Sequence, residues 1–264
     1  MKELILRTLT GITVVVVVAG SIYLGSLSFA VMSLVLYLLS TSELNSLFHK
    51  TNPSRKWLQA LPGFLLLAIT YGVLEHQLHS LFLTLPVGIW LFFTLRWGIQ
   101  LPGLLSFLWL ALPYSSFLAL GWMTGDWAYH RQLPLALIAL VWVNDTFAYL
   151  TGSLLGRHKL APVLSPGKSW EGFVGGVIFT LLGGWFIWRM TGLLGSWSWM
   201  AISLIVVSLG LVGDLFESGL KRTVKVKDTG KLLPGHGGIL DRFDSLLFVA
   251  PAVLILRLLI MWLL

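Results

Sequence analysis

The chain has 264 residues, with 18 Lys or Arg against 11 Asp or Glu, a formal net charge of +7. Only 11% of residues are charged and 56% are hydrophobic, against roughly 25% charged in a soluble domain. These figures exclude a soluble globule and disordered, coiled-coil, collagen-like or disulfide-stapled secreted chains; there is no cysteine, and the basic residues lie between apolar runs, so no nucleic-acid-binding domain is expected.

A membrane span needs about 20 mostly apolar residues. In chain order such segments fall at 8–24, 27–48, 57–74, 80–95, 99–121, 132–155, 171–190, 198–217 and 244–264. The fold class predicted is an all-α polytopic integral membrane protein with about nine transmembrane helices. Pro62 and Pro86 interrupt the third and fourth segments. The first, preceded by Lys2 and Arg7, reads as a retained helix, because no clear small-residue cleavage site follows it. Without linkers or repeats, residues 1–264 read as one transmembrane domain. Helices of unassigned role occupy 1–125, and the chemistry falls in 126–264.

Basic residues set the orientation. With the N-terminus inside and nine crossings, the inner side collects Lys2, Arg7, Lys50, Arg55, Lys56, Arg96, Arg157, Lys159, Lys168, Lys221, Arg222, Lys225, Lys227, Lys231 and Arg242. Only Arg131, Arg189 and Arg257 fall outside or in an outer half-span. The expected topology is N-in, C-out.

Acidic residues in or beside a span are costly and mark candidate sites. Asp145, Glu171, Asp214, Glu217, Asp228, Asp241 and Asp244 all fall at the inner ends of the sixth to ninth spans. Glu43 stands apart in the second span and reads equally as a helix-packing hydrogen bond or a site residue. Asp145 lies about ten residues, or roughly 15 Å, from the inner end of its helix. Its carboxyl needs a metal, a proton or a water-filled cavity, or else packs in protonated form against a neighbouring helix. The stretch Ser165-Pro166-Gly167-Lys168-Ser169 leads into a helix start at Ser169 to Gly172, where free N–H groups favour an anion. Lys168 adds a point charge for a phosphate.

Residues 218–245 are the densest polar segment. Glu217 and Lys221 form an i,i+4 pair, and Asp241 and Asp244 lie three apart at the start of the last helix. With Asp214 from the preceding helix and Asp145, they suggest a divalent-cation site, Mg²⁺ being the natural choice with phosphate oxygens. Gly235, Gly237 and Gly238 around His236 allow close backbone approach to a ligand. A positive-inside loop touching anionic lipid accounts for Lys225 and Lys231, but not for acids bracketing the bases.

This segment resembles the signature of the phosphatidate cytidylyltransferase (CDP-diacylglycerol synthase) family. Ser218, Leu220, Lys221, Arg222, Lys227, Asp228, Gly230, Leu233, Pro234, His236, Gly237, Gly238, Ile239, Asp241, Arg242, Phe243 and Asp244 fit every constrained position. Asp145, Ala148-Tyr149, Gly152, Gly156, Ser165-Pro166 and Glu171-Gly172 extend the likeness upstream, with Gly167 and Ser169 departing from it. The resemblance covers about the C-terminal half.

The resemblance implies Mg²⁺-dependent transfer of CMP from CTP to phosphatidic acid, giving CDP-diacylglycerol and pyrophosphate for phospholipid synthesis. It implies a multi-pass protein of the cell membrane with a cytoplasmic site, surrounded by membrane lipids, and a homodimer. On this reading Lys221, Arg222, Asp241 and Asp244 are catalytic. Ser165, Lys168, Ser218, Lys227, Asp228, His236, Gly237, Gly238 and Arg242 bind substrate. Asp145, Asp214, Asp241 and Asp244 hold the metal, with enough acids for a second ion. The competing readings are a CTP-dependent polyprenol or phytol kinase, which would release CDP, and an ion or anion transporter with a midplane site.

Overall fold

The computed structural model describes residues 2–48, 53–97 and 101–263. Apolar runs too long for anything but a span become helices: α1 (Lys2–Leu24), α2 (Ser26–Leu47), α3 (Pro53–His76) and α4 (Thr84–Trp97). They are followed by α5 (Leu101–Trp122), α6 (Gln132–Leu155), α7 (Trp170–Thr191), α8 (Ser196–Thr223) and α9 (Leu240–Leu263). Among the described residues, eight helices are long and apolar enough to cross a bilayer. The exception is the fourth expected span, where the apolar helical stretch Ser80–Arg96 is shorter and begins as a 3-10 turn at Ser80–Leu83. Lys50, residues 99 and 100 of the fifth expected span and the final residue of the ninth lie outside the described residues, as do the side chains of Lys2, Arg55 and Lys56.

The short α4 still carries the chain from one end of the bundle to the other. Tyr71, near the end of α3, rings against Trp122 at the end of α5, while Gly103 at the start of α5 lies beside Gln59 near the start of α3. The segment between must therefore return across the bundle, so the chain passes nine times among the described residues. α5 contains a π-helical turn at Ser106–Ala111. Pro113, two residues beyond it, has no N–H to give the ladder, so the wider turn absorbs the break.

α2 is the centre of the N-terminal half. Phe29, Tyr37 and Leu44 are fully buried, and neutral hydroxyls tie the helix to its neighbours. Tyr37 Oη donates to the Ala60 carbonyl at 2.9 Å and lies 3.1 Å from Ser106 Oγ. Ser40 meets Tyr114 at 2.9 Å. In the C-terminal half, small residues let α6, α7, α8 and α9 approach closely. A Cβ on Gly213 of α8 would stand 2.6 Å from the Asp244 carbonyl oxygen, and one on Gly172 of α7 would stand 2.6 Å from that of Ala148. Exposed apolar side chains such as Val16, Leu24, Leu95 and Leu154 form the outside of the bundle, as suits a surface in contact with lipid.

One element departs from the all-helical expectation. β1 (Lys159–Ala161) and β2 (Ser165–Ser169) form a short antiparallel hairpin between α6 and α7. It is too short for period-two alternation to show in the sequence.

Candidate active site

The middle of α1, the second half of α6, the β1–β2 hairpin, the start of α7, the middle of α8 and the start of α9 enclose a cavity of about 770 Å³. Asp145, Asp214 and Asp244 line it from three different helices. Each lies within electrostatic range of the other two. The depth that makes Asp145 costly in a membrane is resolved by the cavity, because its side chain is open to that space rather than packed. Lys168, at the end of the hairpin, ion-pairs with Asp214 at 2.5 Å. Ser165, His236 and Arg242 also line the cavity.

Asp241 also reaches the cavity wall, but its carboxylate is already occupied. Oδ1 accepts from Lys221 Nζ at 2.7 Å. Oδ2 accepts from Thr229 N at 2.9 Å, Thr229 Oγ1 at 3.0 Å and Gly238 N at 2.8 Å. Four donors leave it little capacity for a metal. Asp244, one turn on, lines the same cavity with other partners. Its Oδ1 accepts from Ser245 N at 2.8 Å, and its carboxyl lies against that of fully buried Glu217. Two buried carboxyls in contact require a shared proton or a cation between or beside them. Lys221 is that cation on one side, with Nζ 3.3 Å from Glu217 Oε2.

The loop from 224 to 239 is shaped by its glycines and anchored at several points. Gly235 and Gly237 take φ of +75° and +83°, a region L side chains rarely adopt. Arg242 Nε and Nη2 donate to the His236 carbonyl at 3.0 and 2.8 Å. Thr10 of α1 donates to the Pro234 carbonyl at 3.1 Å. His236 is half-buried beside Gly11. Burial, and then the positive charges of Arg242 and Arg7, hold its imidazole pKa below the ordinary value, so the neutral ring dominates at pH 7.

Glu43 resolves to neither of its two sequence readings alone. It is 9% exposed, and its carboxylate caps the start of α9, accepting from Ile239 N and Leu240 N at 2.9 Å each. Thr229 Oγ1 donates to it at 3.2 Å. A carboxylate at a helix N-terminus satisfies orphan N–H groups and suits the dipole. A Cβ on Gly230 would stand 2.6 Å from Glu43 Oε1, so glycine there makes room for the carboxylate. The N-terminal half thus holds this loop through Thr10 and Glu43.

The structure brings Asp145, Ser165, Lys168, Asp214, His236, Asp241, Arg242 and Asp244 together at the cavity. It does not bring Lys221, Arg222, Ser218, Lys227 or Asp228 to its walls. Lys221 is spent between Glu217 and Asp241; Ser218 donates to Asp214 at 3.4 Å; Arg222, Lys227 and Asp228 are exposed. Gly237 and Gly238 shape the loop without lining the cavity. Ser169 caps α7 as its position suggested, accepting from Gly172 N at 3.1 Å. Glu171 instead pins the turn before the hairpin through His158 Nδ1 at 2.6 Å and Arg157 N at 3.1 Å. Thr229, which links Asp241 to Glu43, carries no signal in one sequence. Glu217 showed only as the partner of Lys221.

Among the described residues, no group of three or more His, Asp or Glu is gathered tightly enough to hold a metal alone. Mg²⁺ needs only one or two carboxylates beside water and phosphate oxygens. The repelling set Asp145, Asp214 and Asp244, offset by a single lysine on Asp214, fits that requirement.

The sequence model of the cytidylyltransferase family matches residues 5–260. Over 118 residues, 44% of this chain and 45% of the relative, the chain is 50% identical to a phosphatidate cytidylyltransferase of Staphylococcus saprophyticus. Over the same shares it is 48% identical to proteins of that name from Staphylococcus epidermidis and Staphylococcus aureus. The chain therefore spans a little under half the length of the curated relatives it matches.

Proposed function

The chain belongs to the cytidylyltransferase family, and from that premise we propose that it transfers CMP from CTP to phosphatidic acid, releasing pyrophosphate. The observation that carries this reading is the cavity in which three acids and a lysine from separate elements converge. A phosphate oxygen of phosphatidic acid attacks the α-phosphorus of CTP. The new P–O bond forms as the bond to the β-phosphate breaks, and pyrophosphate leaves with that electron pair. Both reactants are anionic, so the work is positioning and charge neutralisation. No general base is required, because a phosphate monoester is already ionised near pH 7.

Asp145, Asp214 and Asp244 would hold Mg²⁺, which when bound neutralises phosphate oxygens and polarises the reacting phosphorus. Lys168 bridges Asp214 and an incoming phosphate. Arg242, whose Nε and Nη2 are spent on the loop, presents the remaining edge of its fork. Neutral His236 offers a ring nitrogen to substrate. Lys221 and Asp241 act through position: their ion pair, with Glu43 behind it, fixes the loop and the first turn of α9. The positive-inside pattern supports a cytoplasmic face in the cell membrane, where CTP arrives from water and the lipid from between helices. Small-residue helix faces suit a homodimer.

The test is purified protein with CTP, phosphatidic acid and Mg²⁺, following lipid product and pyrophosphate together. Stoichiometric CDP-diacylglycerol and pyrophosphate, abolished by EDTA, is the expected result. Release of CDP without a CDP-lipid would transfer the protein to the lipid-kinase class.

A further inference from the structure

The opposite end of the bundle carries a second built site. Arg257 lies 16 residues beyond Asp241 on α9, about 24 Å along the helix axis. It is only 4% exposed. Among the described residues its one hydrogen bond is from Nε to the Met123 carbonyl at 2.9 Å, and no carboxylate pairs with it. A buried guanidinium without an anion is costly in a membrane protein. Arg257 lines a pocket of about 950 Å³ between the turn at Thr124 to Trp127, the start of α8 and the last turns of α9. No Asp or Glu lines that pocket. The acid within the turn that borders the pocket, Asp126, is committed elsewhere: it accepts from Thr124 Oγ1 at 3.0 Å and pairs with His130 Nε2 at 2.7 Å. The hydrogen bond from His130 holds its carboxyl down at about 2.

The pocket walls are those of an interface. Trp127 and Trp262 are 56% and 81% exposed, and tryptophan favours the headgroup level of a bilayer. Ser198 adds a hydroxyl, and the α9 face is otherwise apolar. A planar cation with unfilled donors, flanked by indoles and an apolar wall, is complementary to a phosphate that carries acyl chains. We infer that this pocket binds a phospholipid by its phosphodiester group, with Arg257 gripping the phosphate at the membrane face opposite the acid cavity. The site is independent of the reaction proposed above.

Native mass spectrometry of the full chain in detergent, titrated with phosphatidylglycerol, tests it. The wild type should retain one lipid more tightly than Arg257→Gln, whose apparent affinity should fall on the order of tenfold. Ser198→Trp, which fills the pocket and leaves the cation in place, should lose the same lipid and guards against misfolding of the arginine variant; melting curves report on both. Retention of diacylglycerol as tightly as phosphatidylglycerol would overturn the proposal, because the headgroup would then not matter. Displacement of the lipid by millimolar inorganic phosphate would assign the site to a free anion instead. Unchanged retention in both variants would also overturn it, as would a second copy of the chain closing the pocket without lipid.

Discussion

The two halves of the bundle are held together by different chemistry. In α1–α5 the polar contacts are neutral: hydroxyl to carbonyl at Tyr37, hydroxyl to hydroxyl at Ser40 and Thr41. In α6–α9 neutral bonds such as Ser203 Oγ to the Thr180 carbonyl persist, but charged contacts are added, with Lys168 on Asp214 and Lys221 between Glu217 and Asp241. Neutral bonds can be buried completely at little cost, so the first half is a rigid support with a closed core. Charges in a membrane protein need a partner or an opening, so the second half carries the cavity. Among the described residues Glu43 is the one buried acid of the first half, and its bonds go to the loop of the second and the first turn of α9.

The sharpest way to break this comparison is at the cavity acids. Asp244→Asn keeps shape and removes one of three converging charges. We expect turnover to fall by about 10²–10⁴-fold, the scale of losing one electrostatic stabiliser of a transition state. Asp214→Asn should behave similarly. Protein yield and melting should hardly change, since removing a repelling carboxylate relieves strain in the free protein. An Asp244→Asn enzyme with normal turnover at saturating Mg²⁺ would remove that residue from the metal site.

Glu43 tests the boundary itself. Glu43→Ala strands two buried N–H groups at the start of α9, a cost of about 1–3 kcal/mol for each unsatisfied group. Activity should drop by roughly 10- to 100-fold through looser substrate binding, and Glu43→Gln should lie between it and the wild type. Measured KM for CTP should rise more than kcat falls. An effect on kcat alone would mean that Glu43 touches the chemistry rather than the loop. Tyr37→Phe, deep in the neutral half, should cost about 1 kcal/mol of stability and leave KM alone, as read by thermal melting beside kinetics.

Much of this architecture was legible because lipid allows few solutions. Apolar runs predicted the helices to within a few residues, from 132–155 for α6 to 198–217 within α8. The fourth span was the exception, since the segment around Pro86 supplies only a short helix. The acids at helix ends lie at the end of the bundle that carries the cavity. Hidden from a linear reading was the division of labour within one motif. Asp241 and Asp244 sit three apart on one helix, yet backbone N–H groups from a folded-back loop saturate the first and leave the second to the cavity. Lys221 read as catalytic because only Glu217, its i,i+4 neighbour, shows in the sequence, whereas Asp241 is brought to it by tertiary packing. The destination of Glu43, nearly 200 positions along the chain, had no local signal at all.

The smallest effect expected concerns the loop's histidine, and it sharpens the comparison by asking whether the charged half is also the pH-sensitive one. Folding lowers the His236 pKa through burial and through the charges of Arg242 and Arg7, while in the unfolded chain the ring titrates near its ordinary value of about 6.5. The unfolded state therefore binds more protons in the window between the lowered value and 6.5. By linkage, this group's contribution to stability is full above 6.5 and is lost as pH falls through that window. Substrate-free wild type should lose about 1–2 °C of Tm relative to His236→Gln between pH 7.5 and pH 5.5. Taking the difference between the two proteins cancels every other titrating group common to both. Parallel Tm curves would mean that the imidazole is solvated in the free protein and that the two arginines do not press on it.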